Sequence, residues 1–177
     1  MRDASRFVNA QFCELPTGDW AFAVARQYLY DAAESVRLAA LSHSSYAPLA
    51  QLARKLSGEE KYHLLHGKTW INHLGRGTDE SRARLQAALD SAFPYALGLF
   101  EAPADEAELT AANIQLPEAE LRRQWLAVVE PVLEGAGLTV PAARAVEGGR
   151  RGEHTGHLSK LLDDMQLVFR SDPEAEW

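Results

Sequence analysis

PLAQLARKLSGEEKYHLLHGKTWINHL, residues 48–74, decides the fold. Within it Leu49, Ala53, Leu56, Glu60, His63, Gly67, Trp70 and Leu74 fall at alternating steps of four and three. That spacing holds one face of a helix toward a partner helix. Six of the eight are apolar or glycine, and Glu60 and His63 interrupt the line in its middle. Pro48 suits a first helical turn, and Gly75-Arg76-Gly77 is a stop signal. The preceding stretch, about Trp20 to Ser42, repeats the pattern through Val24, Tyr28, Asp31, Ser35 and Leu38, with Asp19 placed as N-cap. Again an acid sits on an apolar line. A charge placed there is costly unless it is paired or bound to a metal.

The loop between the two helices sets their register. Asp31 lies twelve residues before His43, and Glu60 twelve residues after Pro48. Each span is ~18 Å of helix at the ~1.5 Å rise per residue. Antiparallel packing through the short His43–Ala47 connection therefore brings Asp31 level with Glu60, and His63 follows one turn later on the same face. A lone Glu-x-x-His is common on helix surfaces. What singles this one out is its apolar seam and its matched depth with Asp31. A carboxylate facing Glu-x-x-His is half of a di-iron carboxylate site, and oxygen and imidazole donors suit iron or manganese. No second Glu-x-x-His occurs. His154 and His157 are three apart but have no acid of matching depth, so capping or packing roles are expected for them.

The rest of the chain also reads as helix. Alanine, leucine, glutamate and arginine dominate, and sustained strand alternation is absent. Further helices are expected over about 80–100, with Leu85, Ala88, Ala92, Tyr95 and Leu99 inward and Pro94 as a potential kink, then over 117–135 and 153–170. A short helix is expected over 2–13, an irregular acidic stretch over 101–116, and a solvated basic loop over Arg144 to Arg151. Trp20, Trp70 and Trp125 are expected as core or interface anchors, and Cys13 as a buried thiol. The whole, residues 1–177, reads as a single all-α domain.

Composition narrows the function. The chain has 25 acidic and 18 basic residues and a formal charge of −7, which argues against nucleic acid as a partner. One cysteine excludes an internal disulfide framework and fits a reducing compartment. No apolar run reaches the ~20 residues of a membrane span, and no apolar segment follows the first residues as in a signal peptide. A cytoplasmic protein is expected.

Several segments together resemble the structural C subunit (PaaC type) of bacterial phenylacetyl-CoA ring epoxidases, also called phenylacetate-CoA oxygenases. They are Asp19-Trp20 with Ala25 through Asp31, Glu60-Lys61-Tyr62-His63, Leu74-Gly75-x-Gly77-Thr78-Asp79, Leu121-Arg122 with Trp125, and Leu138-Thr139-Val140-Pro141. Gly148-Gly149-Arg150 through Gly152, His154-Thr155, His157-Leu158 and Met165-Gln166 close the match. The resemblance implies a ferritin-like helical bundle. It also implies a scaffold role beside a catalytic A subunit, whose di-iron centre inserts oxygen into the ring of phenylacetyl-CoA. Accessory and reductase subunits are implied as further partners. Gly156 stands where the family often has an acid. The family pattern also has about two helices before the segment matching Met1, so an N-terminally incomplete bundle is expected.

The reading is therefore a non-catalytic subunit with no cofactor of its own. Asp31, Glu60 and His63 form its vestigial, metal-free half-site, and di-iron belongs to the partner. Two other readings stand beside it: a homodimeric di-iron oxygenase or oxidase built from two such half-sites, and a helical interaction module without oxygen chemistry. The apolar line Val24, Tyr28, Leu38, Leu49, Leu56 and Trp70 needs cover, which predicts self-association or a partner at that face.

Overall fold

The computed structural model describes residues 6–172. Six α-helices are found among them: α1 (Trp20–Leu41), α2 (Ala47–Gly75), α3 (Asp79–Leu97), α4 (Glu106–Ala111), α5 (Glu118–Gly135) and α6 (His157–Ser171), with no strand among the described residues. The chain is an all-α, ferritin-like bundle. Asp19 caps α1 by accepting from the Phe22 amide at 2.9 Å. Thr78 and Ser81 form a reciprocal capping box at the start of α3, which satisfies two amides that the first turn leaves without helical partners. Pro94 lies inside α3, which runs on to Leu97 and continues as a 3-10 turn through Phe100.

At the centre, α1 packs against α2, α3 and α5. Leu29, Ala32, Leu85, Leu89, Phe93, Leu121, Trp125, Val129 and Leu133 form the core between them. The α1–α2 seam is built on small residues. A side chain at Gly67 would place its first carbon 3.2 Å from the Tyr28 Cα, so the missing Cβ permits the close approach. Tyr28 is wholly buried there.

The inward line of α2 differs from its 4-3 reading. Ala50, Ala53, Glu60, Gly67, Ile71 and Gly75 are buried, while Leu56 and His63 are exposed. A strict 3.5-residue repeat drifts ~20° per heptad on a straight helix, so over 29 residues the seam rotates from Leu56 and Leu74 toward Ile71 and Gly75. On α1 the expected line holds: Val24, Tyr28, Asp31 and Leu38 are buried and Ser35 is half-buried. Of the apolar line expected to need cover, Leu49 and Trp70 are half-buried and Leu56 is exposed.

Residues 7–10 are not helical, contrary to expectation, and Gln11–Glu14 form a 3-10 turn; residues 2–5 of that expected helix lie outside the described residues. Distant side chains claim carbonyls a helix would have used: Arg150 donates to Val8 O, and a ring nitrogen of His154 lies 2.9 Å from Phe7 O. Arg26 ties down the end of the segment through Cys13 O and Leu15 O. The segment is a strap across the bundle. The stretch 101–116 is also more regular than expected, since α4 lies within it, and Glu106 accepts from the Glu118 amide at the start of α5. The basic loop is not simply solvated. Glu101 is buried and accepts from the Gly148 amide at 2.8 Å and the Arg151 guanidinium at 2.6 Å. No helix among the described residues is long and apolar enough to cross a membrane.

Candidate functional site

Five buried carboxylates occur among the described residues, and they divide into two kinds. Glu14, Glu101 and Glu118 are matched by donors. Glu118 takes both terminal nitrogens of Arg37 at 2.6 and 2.7 Å. Glu14 accepts from Asn9, from both the amide and hydroxyl of Thr155, and lies 2.6 Å from His154 Nδ1. Asp31 and Glu60 are different. Asp31 Oδ2 and Glu60 Oε1 are buried without a hydrogen-bond partner among the described residues, as is the Tyr28 hydroxyl. Orphaned buried polar atoms are rare and call for an explanation.

Asp31 and Glu60 meet across the α1–α2 seam, as their equal distances from the connecting turn require. One donor atom each from Asp31 on α1 and from Glu60 and His63 on α2 lies within 4.8 Å of the others, and this is the one such group of three metal-capable side chains among the described residues. His63 Nδ1 is 3.4 Å from Glu60 Oε2. Gln27, one turn before Asp31, donates to Asp31 Oδ1 at 2.5 Å. The Asp31 and Glu60 residues are 2% and 9% exposed, whereas the His63 side chain is 60% exposed. The cluster is thus a buried carboxyl pair with an imidazole at its solvent side.

The electrostatics follow from that placement. Burial pushes the Asp31 carboxyl above its usual range, opposed by the Gln27 hydrogen bond and the nearby His63 and His66. Burial also pushes Glu60 up, and the Asp31 charge adds to it while His63 opposes. Two carboxylates this close resist double ionisation. The site therefore favours a shared proton or a bound cation. Two oxygen donors and one nitrogen fit a single divalent ion of the iron or manganese type. They do not fit a two-metal centre, which in ferritin-like carboxylate proteins draws ligands from four helices.

Glu60→Gln tests this charge balance. A raised folded-state pKa gives a contribution that is present below the ordinary carboxylate range and is lost as pH rises through the folded value. In chelator-treated protein at neutral pH, Glu60→Gln should stabilise the fold by about 1–2 kcal/mol. The gain should vanish on acidification. Denaturant titrations at several pH values check it, and a variant less stable than wild type at neutral pH would refute the reading.

One participant escaped the sequence reading. Gln27 was legible in principle, since it precedes Asp31 by four residues on one helical face. Beside the site, Trp20, Ala23, Val24, Gln27, His66, Gly67 and Trp70 line a cleft of about 180 Å³. Trp20 meets Trp70 edge-on at 5.3 Å and stays 56% exposed, so of the three tryptophans only Trp125 is a fully buried anchor. His154 and His157 do not approach the site. His154 packs against Glu14, and the His157 amide donates to Thr155.

Comparison with known proteins adds three findings. The model of the phenylacetic acid catabolic protein family matches residues 1–177. The C subunit of 1,2-phenylacetyl-CoA epoxidase from Escherichia coli (strain K12) is 34% identical over 177 residues, covering 99% of this chain and 71% of that protein. The A subunit of the epoxidase from the same organism is 29% identical over 131 residues, covering 71% of this chain and 42% of that protein.

Proposed function

Since the chain belongs to the phenylacetic acid catabolic protein family, we propose that it is a non-catalytic structural subunit of a phenylacetyl-CoA 1,2-epoxidase. In this role it supports a separate di-iron catalytic subunit in the cytoplasm, together with accessory and reductase subunits. The observation that carries this reading is the half-site: three donors on two helices, with no second group of ligands among the described residues. Three donors do not hold two irons, so the chain supplies no oxygen-activating step by itself. Asp31, Glu60 and His63 keep a polar seam between α1 and α2 where a catalytic relative would place ligands. The stronger similarity to a C subunit than to an A subunit supports the same assignment. Trp20 on α1 and Leu52 and Leu56 on α2 are exposed and offer apolar surface on which a partner subunit would seat.

The test is reconstitution. The purified chain alone should hold no pair of irons and should not consume oxygen with an electron donor and phenylacetyl-CoA. Ring epoxidation should appear on adding the catalytic subunit and reductase, and should depend on this chain. Two irons per chain or per chain pair, with oxygen consumption abolished by Glu60→Ala, would replace the scaffold reading with the two-half-site enzyme.

A further inference from the structure

The face of α2 that points away from the core carries a second stripe. Gln51, Lys55, Gly58, Tyr62, Leu65 and Thr69 follow alternating steps of four and three, and all six are exposed, Tyr62 at 76% and Leu65 at 63%. Gly58 has no role within the chain. It lies mid-helix, its φ is ordinary, and a side chain there would meet nothing within 4 Å. A glycine that weakens a helix without local reason marks a place where another backbone comes close. Lys61 and Lys68 border the stripe and, like Lys55 within it, make no ion pair among the described residues.

A complementary face lies at the other end of the same chain. On α6, Leu158, Leu161, Leu162, Met165, Val168 and Phe169 fall on one side at helical spacing. Only Leu158 is buried, while Met165, Val168 and Phe169 are 72%, 60% and 42% exposed. Asp164 borders this stripe and has no ion pair among the described residues, unlike Asp163, which binds Arg170 at 2.9 Å. An amphipathic helix with a free apolar face is suited to lie on an apolar groove or ridge.

We infer that α6 of one copy packs on the outer face of α2 in a second copy, crossing it at Gly58, with the reciprocal contact made by two-fold symmetry. Charge selects this pairing over α2 against α2. Antiparallel self-pairing of α2 would bring the Lys61 and Lys68 flank onto the same flank of the other copy, whereas α6 brings Asp164 to it. A helix of this length buries a few hundred Å² per partner, and two symmetric contacts reach the roughly 1,200 Å² at which specific interfaces begin. This face is separate from the half-site, so self-association and epoxidase function are scored by different measurements.

Sedimentation equilibrium of the full chain tests it. Wild type should be a dimer. Leu65→Glu on α2 and Met165→Glu on α6 should each weaken association at least tenfold, with helical circular dichroism unchanged. Mixing the two variants should recover part of the association, because the mixed pair keeps one intact contact and each variant alone keeps none. Gly58→Leu should raise the unfolding midpoint of the chain yet weaken its association at least tenfold. A wild-type monomer at every attainable concentration, a dimer indifferent to either face, or a mixture without rescue would each overturn the inference.

Discussion

Trp125→Ala is expected to remove about 4 kcal/mol of folding stability, the upper part of the range for large-to-small core changes. Trp125 is fully buried on α5, with its ring centroid 5.3 Å from that of Phe93 and 5.4 Å from that of Phe100. Its indole Nε1 donates to the Leu29 carbonyl of α1 at 3.1 Å. One side chain therefore joins α5, the end of α3 and α1. Truncation removes the packing and leaves a cavity that neighbouring helices cannot fill without moving. Trp125→Phe keeps most of the ring contact and loses the hydrogen bond, for about 1–2 kcal/mol. Denaturant unfolding of the two variants separates packing from hydrogen bonding. A loss below about 1 kcal/mol for the alanine variant would show that α5 is not joined to the core in this way.

Glu14→Ala should cost about 3 kcal/mol, because it strips a buried acceptor from several half-buried donors at once. Glu14 Oε1 faces Asn9 Nδ2 at 2.9 Å and His154 Nδ1 at 2.6 Å, and Oε2 faces the Thr155 amide at 2.7 Å and hydroxyl at 2.8 Å. The other ring nitrogen of His154 lies 2.9 Å from the Phe7 carbonyl, so both nitrogens meet acceptors. Glu14→Gln retains one acceptor oxygen but points an amide donor at another donor, and should recover only part of the loss. Hydrogen exchange at the Thr155 amide reports the site directly. Unchanged protection in Glu14→Ala would mean that the strap is held by its apolar contacts alone.

These two anchors differ in how far the sequence disclosed them. Trp125 was legible as an anchor because a tryptophan at a helical position among leucines and valines has few other fates. The α1–α2 hairpin and the juxtaposition of Asp31 with Glu60 were legible because both rest on local quantities, helix rise and a five-residue turn. Glu14 was not legible. Its partners lie 140 and 141 residues away, and nothing periodic links a carboxylate at the end of a 3-10 turn to a histidine before α6. The same holds for Glu101 with Arg151 and Arg37 with Glu118. Local pattern misread residues 7–10 because a helix there competes with side chains that arrive only through tertiary structure. On α2 the error was one of phase: a seven-residue repeat describes a supercoil better than it describes this helix.

The strap also gives the molecule a mechanical character. Residues 8–14 lie alongside 149–155, tied by Arg150 to Val8 O, Gln11 to Glu153 O at 2.9 Å, and the Glu14 cluster. A Cβ on Gly149 would collide with Asn9 O, so the two backbones touch. The chain is thereby closed into a noncovalent ring whose clasp joins segments more than 130 residues apart. Closing so long a loop is entropically costly and slow to find, which places the clasp late in assembly. Tension applied between the strap and α6 would load this clasp before it reached any helix of the core. Force spectroscopy would then record two ruptures, a weak early one abolished by Glu14→Ala and a later one governed by the helices around Trp125.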